Sequence, residues 1–133
     1  MKSRDTLVRL KRFQADEKAR RMAQIEMMIN EFGRMAAELD REIAAEEQRS
    51  GNSDPAHFAY STYARAARGR RDNLRNSAAE LRGQMEEAKA RHEEALEELK
   101  KAESLDGRER AVERLVEPSR AEMGALAMSA ARA

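Results

Sequence analysis

Between Met22 and Glu46 the inward positions fall at Met22, Ile25, Ile29, Phe32, Ala36, Leu39, Ile43 and Glu46, in steps of three and four that alternate without a break. This is a heptad seam, with Met22, Ile29, Ala36 and Ile43 at position a and Ile25, Phe32 and Leu39 at position d. A helix with so narrow an apolar stripe cannot bury it alone, so the stretch demands a second helix.

The rest of the chain supplies one. Arg49-Ser50-Gly51-Asn52-Ser53-Asp54-Pro55 is the one stretch with concentrated turn chemistry. Gly51 or Asn52 suits a left-handed helix end, Asp54 or Ser53 suits the next cap, and Pro55 suits a first helical position. The expectation is a first helix over about 5–49, roughly 65 Å long at ~1.5 Å per residue, a bend at 50–54 and a second helix over about 55–116. That second helix has its own seam: Tyr60, Ala64, Ala67, Arg71, Leu74, Ala78, Leu81, Met85, Ala88, His92, Ala95, Leu99 and Ala102. Folding it back pairs residues whose numbers sum to 103, Ile29 with Leu74 and Ile43 with Tyr60 among them. A shift of seven residues preserves the pattern but lengthens the turn or consumes it. Residues 1–21 hold eight Lys/Arg against three Asp/Glu, whereas residues 86–103 hold seven Glu against four Lys/Arg. An antiparallel hairpin lays these together, while a parallel homodimer stacks basic on basic.

The expected fold class is therefore all-α: a long two-helix antiparallel coiled-coil hairpin over 1–117 with a C-terminal helical overhang. Toward the N-terminus Leu7 and Leu10 keep a helical face whose frame does not match the later seam. A four-residue slip through Gln14 or Ala15 and Lys18 predicts a looser first third. At the other end Leu105-Asp106-Gly107 weakens or interrupts the helix, Arg108–Val116 resumes it, and Pro118 is expected to end it, leaving 118–133 as a flexible or weakly helical tail. With residue 1 paired near Ala102, Leu105–Val116 projects past the first helix and exposes Val112, Leu115 and Val116.

Composition narrows function. The chain is 41% hydrophobic and 38% charged with five aromatic residues, poor material for a globular core. A net charge of +1 gives the chain as a whole no strong attraction to nucleic acid or anionic lipid. The absence of cysteine excludes a thiolate site and a disulfide framework, and fits a reducing compartment. No apolar run approaches the ~20 residues that span a bilayer, and Met1-Lys2-Ser3-Arg4-Asp5 is not followed by the ~7–15 apolar residues of a secretory signal, so a cytoplasmic location without membrane insertion is expected.

No catalytic, cofactor-binding or metal site is expected. There is no Gly-rich phosphate loop and no nucleophile-elbow serine. His57 reads as a solvated first-turn side chain. His92 reads as a tolerated polar seam residue, without a second His or Cys at i+3 or i+4 to complete a metal site. Arg65, Arg68, Arg70, Arg71 and Arg75 superficially suit a basic zipper, but Ala88, Ala95 and Ala102 stand where a zipper wants Leu, and a solvated or protein-contact patch is favoured. Phe58, Tyr60 and Tyr63 put three of five aromatics within six residues beside the bend. Phe58 and Tyr63, off the seam, are either partner anchors or closures of the hairpin end. The candidate partner-binding residues are Phe58, Tyr63, Arg65, Arg68, Val112, Leu115 and Val116.

The opening Arg9-Leu10-Lys11-Arg12-Phe13, the Glu17-Lys18 step, the first seam, the short bend with Asp54-Pro55-Ala56-His57-Phe58-Ala59-Tyr60, and the basic-then-acidic second helix together resemble the FliJ family of flagellar export proteins in its alphaproteobacterial form. The likeness spans about Lys2 to Val116. It implies a non-enzymatic coiled-coil stalk of the flagellar type III protein export apparatus, a monomeric hairpin similar to the stalk of rotary ATPases. Such a protein is cytoplasmic and peripheral to the membrane export apparatus, engaging the export ATPase ring, the export gate and export chaperones. The competing readings are a virulence type III secretion stalk, a generic coiled-coil scaffold that homodimerises and a DNA-binding zipper.

Overall fold

In the computed structural model the backbone is described for residues 2–132 and side chains for residues 3–116. The fold is all-α, two long helices packed against each other as a hairpin: α1 is Lys2–Ser50 and α2 is Thr62–Arg132. α1 contains no proline, carries Asp5 in its first turn and Arg49 in its last, and so complements its own dipole at both ends. Contacts divide the chain into two compact units, a terminal unit of Met1–Glu17 with His92–Ala133 and a central unit of Lys18–Arg91.

In the central unit both expected seams are the buried faces. Ile25, Ala36 and Ile43 on one side and Tyr60, Ala64, Ala67, Ala78, Leu81 and Ala88 on the other are buried, and Ile25 is the largest fully enclosed side chain. Met22, Ile29, Phe32 and Met85 pack around the cluster of Ile25, Leu81 and Ala88. This cluster corresponds to pairs that sum to 110, not 103: Met22 with Ala88, Ile25 with Met85, Ile29 with Leu81. The register is thus one heptad beyond the expected one, which still sets a against d. Large residues meet small ones along it, as space-filling requires.

The bend shows where the extra length goes. It occupies residues 51–61, and α2 starts at Thr62 rather than Pro55. Gly51 ends α1 at φ 74°, its N–H donating to the Glu47 carbonyl at 3.0 Å. Then the polar side chains satisfy the backbone in turns instead of a helix: Asn52 Oδ1 accepts the Asp54 N–H and Asp54 Oδ1 accepts the Ala56 N–H, each at 3.0 Å. Pro55 sits second in a turn closed by the His57 N–H on the Asp54 carbonyl at 3.1 Å. Neither Ser53 nor Asp54 caps α2. Ser61 does, its Oγ accepting the Ala64 N–H at 3.2 Å.

In the terminal unit the heptad frame runs on without a slip. Ala15 is buried, Val8 and Lys11 are half-buried, and opposite them Ala95 and Ala102 are buried and Leu99 half-buried, again at a sum of 110. Leu7 and Leu10 stay outside, 39% and 48% exposed, so the leucine frame expected to point inward does not. The register displaces the overhang by one heptad: Arg110 donates to Asp5 at 2.7 Å and Arg4 pairs with Glu109 and Glu113, so 105–109 runs beside the first turn of α1, and α2 continues past the start of that helix. α2 passes Gly107 and Pro118 as helix and continues to Arg132. Proline there forfeits one hydrogen bond and crowds the carbonyl four residues back, in a stretch where Ala121, Ala125, Ala127, Ala130 and Ala131 favour helix. The side chains of the expected tail lie outside the described residues.

Candidate protein-interaction surfaces

Apolar side chains stand exposed at three places: the bend, and one flank of each unit. At the bend, His57 Nδ1 accepts from Asn52 Nδ2 at 2.9 Å and from the Ala59 N–H at 3.0 Å, so the ring, exposed as expected, anchors the loop and does not stand in the first turn of a helix. The Tyr60 N–H closes the next turn on the His57 carbonyl at 3.1 Å. Between these bonds stands Phe58, 94% exposed, its ring stacked on His57 with centroids 4.7 Å apart. The loop therefore holds a large apolar ring in water, and Phe58 does not close the hairpin end. Tyr60 does: it is buried and donates to Glu47 Oε1 at 2.6 Å, and burial, then that carboxylate, push its phenol above the ordinary range. Arg65 lies over the Tyr60 ring at 5.5 Å, and Arg68 approaches Glu47 at 3.8 Å, so these two expected partner-binding arginines are engaged within the hairpin.

Ion pairs cover one flank of each unit. In the central unit Asp40 takes Arg71 at 3.0 Å and Arg75 at 2.8 Å. Arg71 stands in the seam, and its hydrogen bond to Asp40 holds the guanidinium above its ordinary value. In the terminal unit Arg12 reaches Glu103 at 3.4 Å and Asp5 takes Arg110. With Glu47–Arg68 these flanking pairs, Arg71 aside, sum to 115, the e-to-e pairing of an antiparallel coil whose seam sums to 110. Lys11 Nζ, at the seam, donates to Glu98 at 2.9 Å and holds that carboxylate below its usual range.

The other flank carries apolar side chains. In the terminal unit the heptad frame places Leu7 and Leu10 on it from α1, and Leu105, Val112 and Leu115 from α2, with Val116 beside them. Leu105, Val112, Leu115 and Val116 are 53%, 58%, 77% and 41% exposed. These aliphatic side chains lie outside a seam formed by Val8, Lys11, Ala15, Ala95, Leu99 and Ala102, on the flank away from the ion pairs. In the central unit the equivalent flank is a groove of about 540 Å³ lined by Met35, Glu38, Leu39, Glu42, Tyr63, Arg70, Asn73, Leu74 and Ser77. Tyr63 donates to Glu42 Oε2 at 3.1 Å, leaving half its ring exposed on the groove wall.

Sequence reasoning singled out Phe58, Tyr63, Val112, Leu115 and Val116, and all are exposed. It missed Leu7, Leu10 and Leu105, read as seam or break, and the groove residues Met35 and Leu39. The missed signal was in the flanks: at a sum of 115, Asp5, Arg12, Glu26, Asp40 and Glu47 each face an opposite charge, whereas the 103 register sets Asp5 against Glu103. Among the described residues no cluster of three or more His, Cys, Asp or Glu is placed to hold a metal ion, and no helix is long and apolar enough to cross a membrane. Comparison with models of protein families, with curated proteins and with solved structures finds no match.

Proposed function

We propose that this chain is a non-enzymatic stalk or adaptor of a flagellar type III protein export apparatus, working in the cytoplasm against the membrane-bound machinery. The observation that carries this reading is the terminal unit, where ion pairs join the helices and Leu105, Val112, Leu115 and Val116 face outward. A surface of that kind suits insertion into an apolar socket of a larger assembly, and burying each such side chain contributes on the order of 1–3 kcal/mol before ordering costs. The resemblance to the FliJ family supplies the socket, the ring of the export ATPase. At the bend, Phe58 is the anchor offered to the export gate or a chaperone.

Co-purification with a flagellar export ATPase tests the reading. The wild-type chain is expected to be retained, and Val112→Asp with Leu115→Asp to be lost at unchanged helix content. Retention of that double variant, or no retention of the wild type, removes the stalk reading. Phe58→Ala is expected to leave ATPase binding intact and to weaken binding to the export gate.

A further inference from the structure

The groove in the central unit has no place in the stalk reading, yet its geometry is that of a built seat. Its floor is Leu39 and Leu74, which the heptad frame sets at d positions and which are half-buried. One wall is Met35, 42% exposed, and the face of Tyr63 stands toward the bend. Met28, 37% exposed, stands one heptad from Met35 on the same face of α1, which extends the apolar lane by about 10 Å at ~1.5 Å per residue. Thioethers are polarizable and unbranched, and they fit irregular apolar surfaces better than any branched side chain.

The two walls differ in charge. On α1 the rim carries Glu38 and Glu42, with Glu31 one heptad before Glu38. On α2 the rim is Asn73, Ser77 and the single cation Arg70. Glu31 is engaged by Arg34 and Glu42 by Tyr63, while Glu38 has no ion pair among the described residues. At the Tyr63 end the Glu42 hydrogen bond first, then the Glu42 charge and burial, with a smaller push from Glu46, hold the phenol above its ordinary value against the opposing pull of Arg70. The opposite flank of the same unit has a smaller opening, about 230 Å³ beside Gly33, Ala36 and Ala78, and Asp40 is bonded to Arg71 and Arg75 across that flank.

We propose that this groove seats a third helix: an amphipathic segment of a partner protein, its apolar face on Met28, Met35, Leu39 and Leu74, and its Lys or Arg flank along the carboxylates of α1. Anchors at i, i+3, i+4 and i+7 match a lane of this length. Complementary charge along one wall only sets the orientation of the incoming helix, because reversal brings its cations to Arg70.

The probe is a fluorescein-labelled 21-residue amphipathic peptide with a Leu face and a Lys flank, beside an analogue with Glu in place of Lys. It is titrated against the full chain at physiological salt by anisotropy. Saturable one-to-one binding of the Lys peptide, at least tenfold tighter than the Glu analogue, is expected. Met35→Asp should weaken it at least tenfold at unchanged helix content, Glu38→Lys should narrow or invert the preference, and Leu105→Asp, in the terminal unit, should have no effect. Equal binding of the two peptides, or indifference to Met35→Asp, overturns the proposal. So does a free chain that sediments as a dimer and is made monomeric by Met35→Asp, since the groove is then covered by a second copy. Loss of ATPase binding plays no part in this outcome, so the groove and the stalk reading fail separately.

Discussion

Tyr60 and Tyr63 stand three residues apart and do opposite things with the same hydroxyl chemistry. Tyr60 is buried and bonded to Glu47, closing the seam at the bend; Tyr63 bonds Glu42 with half its ring in water. Both phenols are held above the ordinary value of 10.0, Tyr60 chiefly by burial and Tyr63 chiefly by its hydrogen bond. Glu42→Gln should therefore bring the titration of Tyr63 back toward 10.0 and leave that of Tyr60 in place, as followed by ring NMR shifts between pH 9 and 12. Tyr60→Phe removes one partly buried hydrogen bond, for a cost of about 1 kcal/mol in denaturant unfolding. The carboxylates behave in the opposite sense. Arg49 and then Ser61 hold Glu46 low, and Lys11 holds Glu98 low. Their contribution is fully present above the ordinary value of 4.5 and is lost as pH falls through the lowered values. In melts from pH 5 to pH 3, Glu46→Gln with Glu98→Gln should flatten the fall in Tm that the native chain shows.

Helix ends and helix interiors set different demands on glycine, and Gly33 within α1 and Gly51 just after it are one example of each. Gly33 lies inside α1 with open space where a Cβ would go. Alanine there removes only a conformational penalty and should add about 1 kcal/mol to unfolding stability. Gly51 ends the same helix at φ 74°, and although the space beside it is equally open, alanine should cost about 1 kcal/mol because the left-handed backbone itself is strained. Chemical denaturation of the two variants, with opposite signs expected, checks both. α2 begins where Ser61 caps it rather than where Pro55 permits it, because the Asn52, Asp54 and His57 side chains hold the intervening backbone in turns.

Across the molecule, two helices in one register leave one flank of each unit ion-paired and the other apolar. The register can be tested within the central unit. Cysteines at Ile29 and Leu81 should form an intrachain disulfide under mild oxidation, whereas cysteines at Ile29 and Leu74 should not. The seven-residue step displaces the latter by about 10 Å along the helix, beyond the ~7 Å Cα separation a disulfide tolerates. The reverse result would restore the shorter bend. The same register lays Arg110 on Asp5, while the heptad frame, in either register, leaves Val112 and Leu115 outside.

Much of this was legible in the residues. The three-four spacing from Met22 to Ile43 and from Tyr60 to Ala102 determined both buried faces, because helical periodicity is local and each seam repeats it many times. Opposite charge at the two ends of the chain favoured antiparallel packing, and the scarcity of aromatics pointed to Phe58. The register was decided only in three dimensions. A heptad repeat is unchanged by a seven-residue shift, so the seams alone could not choose between sums of 103 and 110; the choice fell to the bend, where side-chain bonds from Asn52, Asp54 and His57 stabilise eleven residues of turn. The inside and outside of the terminal unit followed from the heptad frame of α1 running on without the expected slip, which carried Ala15 and Lys11 inward and turned Leu7 and Leu10 to the flank. The register then set Tyr63, Arg70 and Leu74 across from Met35, Leu39 and Glu42, so that the two walls of the groove are more than twenty residues apart in sequence.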